Sequence, residues 1–407
     1  MTMTADTDTS QKLHPVAGLR LGTACAGIKY PDRRDLVVME MAPGSTCAAV
    51  FTRNAFCAAP VTLARRHLAT GQVRYLLVNS GNANAGTGER GMQDARECCS
   101  LLAAGVGSTP EAVLPFSTGV IGEPLPMEKM AAAIPAAVAE LSGDGWADAA
   151  LGILTTDTVP KAVSRQIQLD GKTVTVTGIA KGSGMIRPDM ATMLAFIATD
   201  ASVAPALLQD CLESAMASSF NRISVDGDTS TNDACVLVAT GGSDMPAIDQ
   251  VDSRYDQLST TLSNICEQLA QSIVRDGEGA TKFVTVAVEQ GATADECLQV
   301  AYTIAHSPLV KTALFAGDPN WGRILAAVGR SGLAGLDLSG INIHLGEVCI
   351  IRGGEPALEY TEAAGQSAMS GDEITIRVQL GRGDASERIW TCDLSYDYVR
   401  INAEYRT

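Results

Sequence analysis

Thr192 stands where one side chain could do chemistry with little help. It lies in the segment Lys181-Gly-Ser-Gly184-Met-Ile-Arg-Pro188-Asp-Met-Ala191-Thr192-Met-Leu194. The glycine loop and Pro188 impose a constrained, extended approach to the small residue Ala191. A continuous apolar run, 193–198, follows at once. A threonine hydroxyl at such a junction can attack the carbonyl that precedes it, giving an ester by N-to-O acyl shift. Hydrolysis of that ester frees Thr192 as a new N-terminus. Its α-amine, with an ordinary pKa of about 7.7–8.0, then serves as general base for its own hydroxyl. An ordinary buried strand would use the same threonine for its β propensity, so the segment alone leaves both readings open.

The elements that would position this residue can be read from periodicity. The alternation of Val174 and Val176, continuing into 178–180, predicts a strand that runs into the glycine loop. The short apolar run 193–198 suits a strand buried on both faces. Stretches 36–50 and 73–78 read as strands, and 92–104 as a helix. Apolar residues from Val203 to Met216 recur at helical spacing, with Ser202 as expected cap. Val284, Val286 and Val288 mark a half-buried strand, 294–305 a helix, and the tail from Leu338 is strand-rich. The class is mixed α/β, with a boundary expected near residue 285.

Composition removes whole classes of function. With 30 Lys and Arg against 46 Asp and Glu, the net charge is −16, which disfavours nucleic acid or an anionic membrane as the main partner. Four histidines, His14, His67, His306 and His344, make a multi-histidine metal site an unattractive expectation. The 11 cysteines form no C-x-x-C pair and suit a reducing compartment. The polar start, 1–11, lacks the basic and apolar regions of a signal peptide, and no apolar run is long enough for a membrane span. A cytoplasmic protein is expected.

Three glycine-bearing motifs invite other readings. Gly86-Thr-Gly88-Glu-Arg-Gly91 has dinucleotide-loop spacing, but five residues separate its first glycine from Ser80 at the strand end. Gly317-Asp-Pro-Asn-Trp-Gly322-Arg323-Ile324 has P-loop spacing with Arg for the lysine and Ile for the hydroxyl, so a tight turn before a helix is expected. The loop 226–233 resembles half a calcium loop but carries Thr231 and Leu237 where Gly and Glu are needed.

The cleavage segment strongly resembles the ornithine acetyltransferase family of arginine biosynthesis, whose members cut themselves before a threonine in this setting. The likeness runs along essentially the whole chain. It includes Val78-Asn-Ser-Gly-Asn-Ala-Asn-Ala-Gly86, Phe116-Ser-Thr-Gly-Val-Ile-Gly122, Leu154-Thr-Thr-Asp157, Asp276-Gly-Glu-Gly-Ala-Thr-Lys282, Gly317-Asp-Pro-Asn-Trp-Gly-Arg323 and Tyr398-Val-Arg-Ile-Asn-Ala-Glu-Tyr-Arg-Thr407. Arg187 and Asp189 depart from the uncharged residues common there.

The resemblance implies an αββα sandwich like that of self-cleaving N-terminal-nucleophile enzymes over 12–285, and a smaller α+β domain over 286–407. A cut between Ala191 and Thr192 would give chains 1–191 and 192–407, assembled two of each as a heterotetramer. It implies Thr192 as nucleophile, Thr118 and Gly119 as oxyanion hole, and Thr155, Lys181, Thr192, Glu278, Asn402 and Thr407 as substrate contacts. The implied substrates are N-acetylornithine and glutamate. No cofactor or metal is implied, though some members take acetyl-coenzyme A as co-substrate. The competing expectation is a hydrolase, an aminopeptidase or amidase with the same nucleophile.

Overall fold

A computed structural model of the chain describes residues 12–187 and 193–404. Ala191, Thr192 and Thr407 lie outside the described residues. Chain contacts divide the rest into two units. One comprises 12–221 and 228–273; the other comprises 222–227 and 274–404. The sequence boundary at 285 falls inside the second unit, because 276–282 leads directly into its central strand Phe283–Gly291.

The first unit is built on two sheets. Strands Leu19–Ala24, Leu36–Met41, Tyr75–Asn82 and Val113–Val120 form one, in that order. The other runs Thr46–Phe51, Ala234–Ala239, Leu194–Thr199, Lys172–Lys181, Lys161–Leu169. The stretch 36–50 therefore is not one strand. It turns at 42–45, and its two halves join different sheets.

Side-chain alternation explains the layers. Val37, Met39, Leu76, Val78, Leu114 and Phe116 of the first sheet meet Phe51, Leu194, Phe196, Val236 and Val238 of the second in one dry core. The alternate residues Leu36, Val38, Tyr75, Leu77 and Val113 pack instead on helices Gly88–Val106 and Met127–Ala139. Helix Pro205–Ser218 covers the second sheet at Thr46–Phe51 and Ala234–Ala239. Two sheets between helices is the αββα order expected. Phe116 and Phe196 meet edge to face across the sheets, with centroids 5.2 Å apart, a contact worth about 0.5–1.5 kcal/mol beyond burial.

The second unit is a seven-stranded mixed sheet with Phe283–Gly291 between Glu373–Gln379 and Ala385–Cys392. Val284, Val286 and Val288 bury one face against Ala294–Ala305, and the helices Pro308–Ala316 and Trp321–Gly329 share that core. Gly317, at φ +65°, ends the first of these two helices, and the Asn320 side chain caps the next by accepting from Arg323 N–H at 3.2 Å. This is the tight turn read from the sequence. The helix after Val203 starts at Pro205 with Ala204, not Ser202, at its N-cap and no side-chain cap bond; proline at the first turn needs no donor partner. Among the described residues no helix is long and apolar enough to cross a membrane.

Candidate active site

Three loops and strand ends of the first unit carry the expected site residues. Thr118 and Gly119 close the strand Val113–Val120, half-buried, where its ladder to Tyr75–Asn82 breaks between Gly81 and Asn82. The break needs two glycines. Gly119 has φ +135°, and a Cβ there would strike the Gly81 carbonyl carbon and the Asn82 nitrogen. Gly81 itself has φ +105°. Only glycine reaches both the conformation and the close approach, and an irregular strand end frees backbone N–H groups for a ligand.

Lys181 ends the strand Lys172–Lys181, and its Nζ donates to Thr155 Oγ1 at 2.6 Å. Thr155 and Lys181 are 26 residues apart in sequence, so the fold brings these two expected substrate contacts together. A third residue, which sequence reasoning quoted without assigning a role, organises them. The wholly buried Asp157 carboxylate accepts from the Thr155 N–H at 3.1 Å, the Gly182 N–H at 2.7 Å and Lys161 Nζ at 2.7 Å. It also lies 3.6 Å from Lys181 Nζ. Burial alone would raise the Asp157 pKa, but Lys161, Lys181 and the Gly182 N–H together hold it well below the carboxylate range. Lys161 is equally buried, where a lysine is rare unless paired. A buried pair of this kind is costly to break, because either survivor is an uncompensated charge.

Asp233 shows the opposite electrostatics. It precedes the strand Ala234–Ala239, and its Oδ2 is buried with no hydrogen-bond partner among the described residues. Burial pushes its pKa well above the usual 3.8, with Ser230 and Lys181 pulling weakly the other way. The folded chain therefore keeps a proton that the unfolded chain releases near pH 4. The stability this group carries is whole below that pH and declines as pH rises toward the folded value. Asp233→Asn removes the proton but not the shape. Its stability relative to the native chain should improve from pH 4 to pH 7, by at most about 1.4 kcal/mol per pH unit. Urea melts at several pH values would measure this, and a pH-independent difference would mean that Asp233 is ionised when folded.

Two more expected contacts meet in the second unit. Asn402, on the helix Tyr396–Ala403, donates through Nδ2 to Glu278 Oε2 at 2.8 Å. Ser395 caps that helix and also donates to Gly279 O at 2.6 Å, tying it to the Glu278 loop. Gly279 has φ +69°, and a Cβ there would strike the Tyr398 nitrogen.

The other readings find structural employment. In the Gly86–Gly91 loop, a Cβ on Gly91 would strike the Thr87 hydroxyl, and Asn84 Nδ2 donates to Gly91 O at 2.9 Å. His67 Nδ1 lies 2.7 Å from Val113 O, and His306 Nε2 lies 2.9 Å from Ser224 Oγ. Among the described residues no group of three or more His, Cys, Asp or Glu is arranged to hold a metal ion.

Comparison with known proteins adds a name to this geometry. The ArgJ family model matches residues 20–407. The chain is 60% identical over 396 residues to the arginine biosynthesis bifunctional protein ArgJ of Pseudomonas syringae pv. tomato, covering 97% of this chain and 98% of that one. It is 59% identical to the protein of the same name from Methylococcus capsulatus, covering 97% of each. The crystal structure of the arginine biosynthesis bifunctional protein ArgJ of Bacillus halodurans matches with 40% identity and a TM-score of 0.48, over 50% of this chain and 95% of that one.

Proposed function

This chain belongs to the ArgJ family, and on that premise we propose that it acts in arginine biosynthesis as an acyltransferase, moving an acetyl group from N-acetylornithine to glutamate through an ester on Thr192. The near-full-length identity to arginine biosynthesis bifunctional proteins carries this reading. After cleavage at 191/192, the Thr192 hydroxyl attacks the acetyl carbonyl as its proton passes to the α-amine. The Thr118 hydroxyl and the Gly119 N–H take up the negative charge on oxygen. The carbon–nitrogen bond breaks, and ornithine leaves with the proton. Glutamate's amine then attacks the ester, giving N-acetylglutamate and free Thr192. One amide replaces another, so the exchange needs no energy-rich cofactor. Acetyl-coenzyme A is the natural second donor for a bifunctional enzyme, since its thioester would load the same threonine.

As the substrate contacts implied by the family resemblance, the Lys181 ammonium suits a carboxylate group and the Glu278 carboxylate an amino group. Asp157 supports this role by holding Lys181 Nζ on Thr155. Thr407 is a further substrate contact implied by the family resemblance. The working particle is two copies of each fragment in the cytoplasm, in keeping with 11 cysteines that are all free thiols.

One incubation tests the reaction. With N-acetylornithine and glutamate, ornithine and N-acetylglutamate should appear in equal amounts. Without glutamate, only about one ornithine per active site should be released. Continued release without glutamate would make the protein a hydrolase and end the transferase reading.

A further inference from the structure

We infer that Asn232 is the positioning residue of the oxyanion hole, fixing Thr118 and Gly119 from the neighbouring sheet. The inference rests on the acyl-transfer reading above. Asn232 is buried, and every atom of its amide is used. Nδ2 donates to Ala83 O at 2.6 Å and to Ser117 O at 2.9 Å. Oδ1 accepts from the Thr231 hydroxyl at 2.6 Å. The reverse orientation would set Oδ1 against two carbonyls, so the amide has one workable placement.

Its two acceptors lie on either side of the catalytic pair. Ser117 O belongs to the peptide plane that carries the Thr118 N–H. Ala83 O belongs to the residue whose own N–H donates to Val120 O at 2.9 Å. One side chain thus holds the window 117–120 at its start directly and at its end through Ala83. The ladder pairs this window with Asn79–Asn82, but its register shifts between Gly81 and Asn82, so the strand pairing here is irregular. Gly119, free of a side chain, is the residue of the window most in need of an external constraint.

The other end of this tie is the strand Leu194–Thr199, which follows Thr192 in the chain. Asn232 lies two residues before Ala234, whose N–H donates to Met193 O at 2.9 Å. Ala234 and Leu194 are direct partners in the parallel ladder. Met193 follows Thr192 in the chain. The Asn232 amide therefore sets the distance between the strand Leu194–Thr199, which follows Thr192 in the chain, and the strand end expected to receive the oxyanion. A displacement of an ångström at such a contact costs far more in rate than in binding. The Asn232 amide bonds Ala83, Ser117 and Thr231, whereas Lys181 is held by Thr155 and Asp157, so substrate affinity should not follow the same tie.

The test is a double-mutant cycle on the cleaved enzyme, with Asn232→Ala, Thr118→Ala and both together. Asn232→Ala is expected to lower kcat about ten- to a hundred-fold while KM for N-acetylornithine and glutamate moves less than about three-fold. In the double variant the loss should fall well short of the product of the two single losses, because Asn232 acts through Thr118 and Gly119. Asn232→Ser, which leaves a smaller void and a donor, covers the case in which the alanine variant does not fold, and is expected to show the same split in milder form. Multiplying losses, or a rise in KM that accounts for the whole effect, would overturn the inference while leaving the transferase reading intact. Absence of transfer by the unmodified enzyme would overturn both.

Discussion

Thr192→Ala should yield one unbroken chain with no acetyl transfer at all. Both outcomes follow from one missing oxygen. Without the hydroxyl there is no N-to-O shift, so the bond at 191/192 stays closed and no α-amine is released. Without hydroxyl or amine there is neither nucleophile nor base, and none of the four histidines stands in. Denaturing mass spectrometry reads the first effect, as an intact 407-residue mass in place of fragments 1–191 and 192–407. Ornithine release reads the second. Thr192→Ser keeps the oxygen and should restore both in part. A cut chain from the alanine variant would move the cleavage chemistry to another residue, and residual transfer would remove Thr192 from the mechanism.

Thr118→Ala should leave the chain cut and folded but slow transfer by about one to three orders of magnitude. The hydroxyl it removes acts on charge that develops only in the tetrahedral intermediate, so kcat should carry the loss and KM should stay near its native value. Thr118 is half-buried at a strand end, so the stability cost should be small. Steady-state kinetics with both substrates decides it. An unchanged kcat would place the oxyanion contacts elsewhere on the loop.

Much of this arrangement was legible before any coordinates. The alternation at 284–288 appears as the strand Phe283–Gly291, with Val284, Val286 and Val288 buried, and the strand expected at 174–180 appears as Lys172–Lys181, buried at every position from 174 onward. Thr155 and Lys181, named apart in the sequence, are hydrogen-bonded to each other. What stayed hidden depends on contacts that no local pattern records. The division of 36–50 between two sheets is a tertiary choice made at the turn 42–45. Asp157 and Lys161 look like surface charges until the fold closes over them. Asn232 sits in a polar loop that reads as a self-bonded turn, yet its partners are 149 and 115 residues away. The crowding of Asn79, Ser80, Asn82 and Asn84 in six residues was the one available hint of a buried polar network.

The strand order of the second sheet sets the fate of the molecule after the proposed cut. Thr46–Phe51, Lys172–Lys181 and Lys161–Leu169 would belong to one fragment; Ala234–Ala239 and Leu194–Thr199, lying between them, would belong to the other. The fragments are then not subunits that dock through finished surfaces but interleaved halves of one fabric. Before the cut, the tether keeps the two halves at a high effective concentration while they fold. Afterwards the same sheet could be rebuilt only by an encounter between two incomplete chains, each with exposed strand edges. The protein would fold as a single chain once, and spend its working life in a state that it could not efficiently reach again from the denatured fragments.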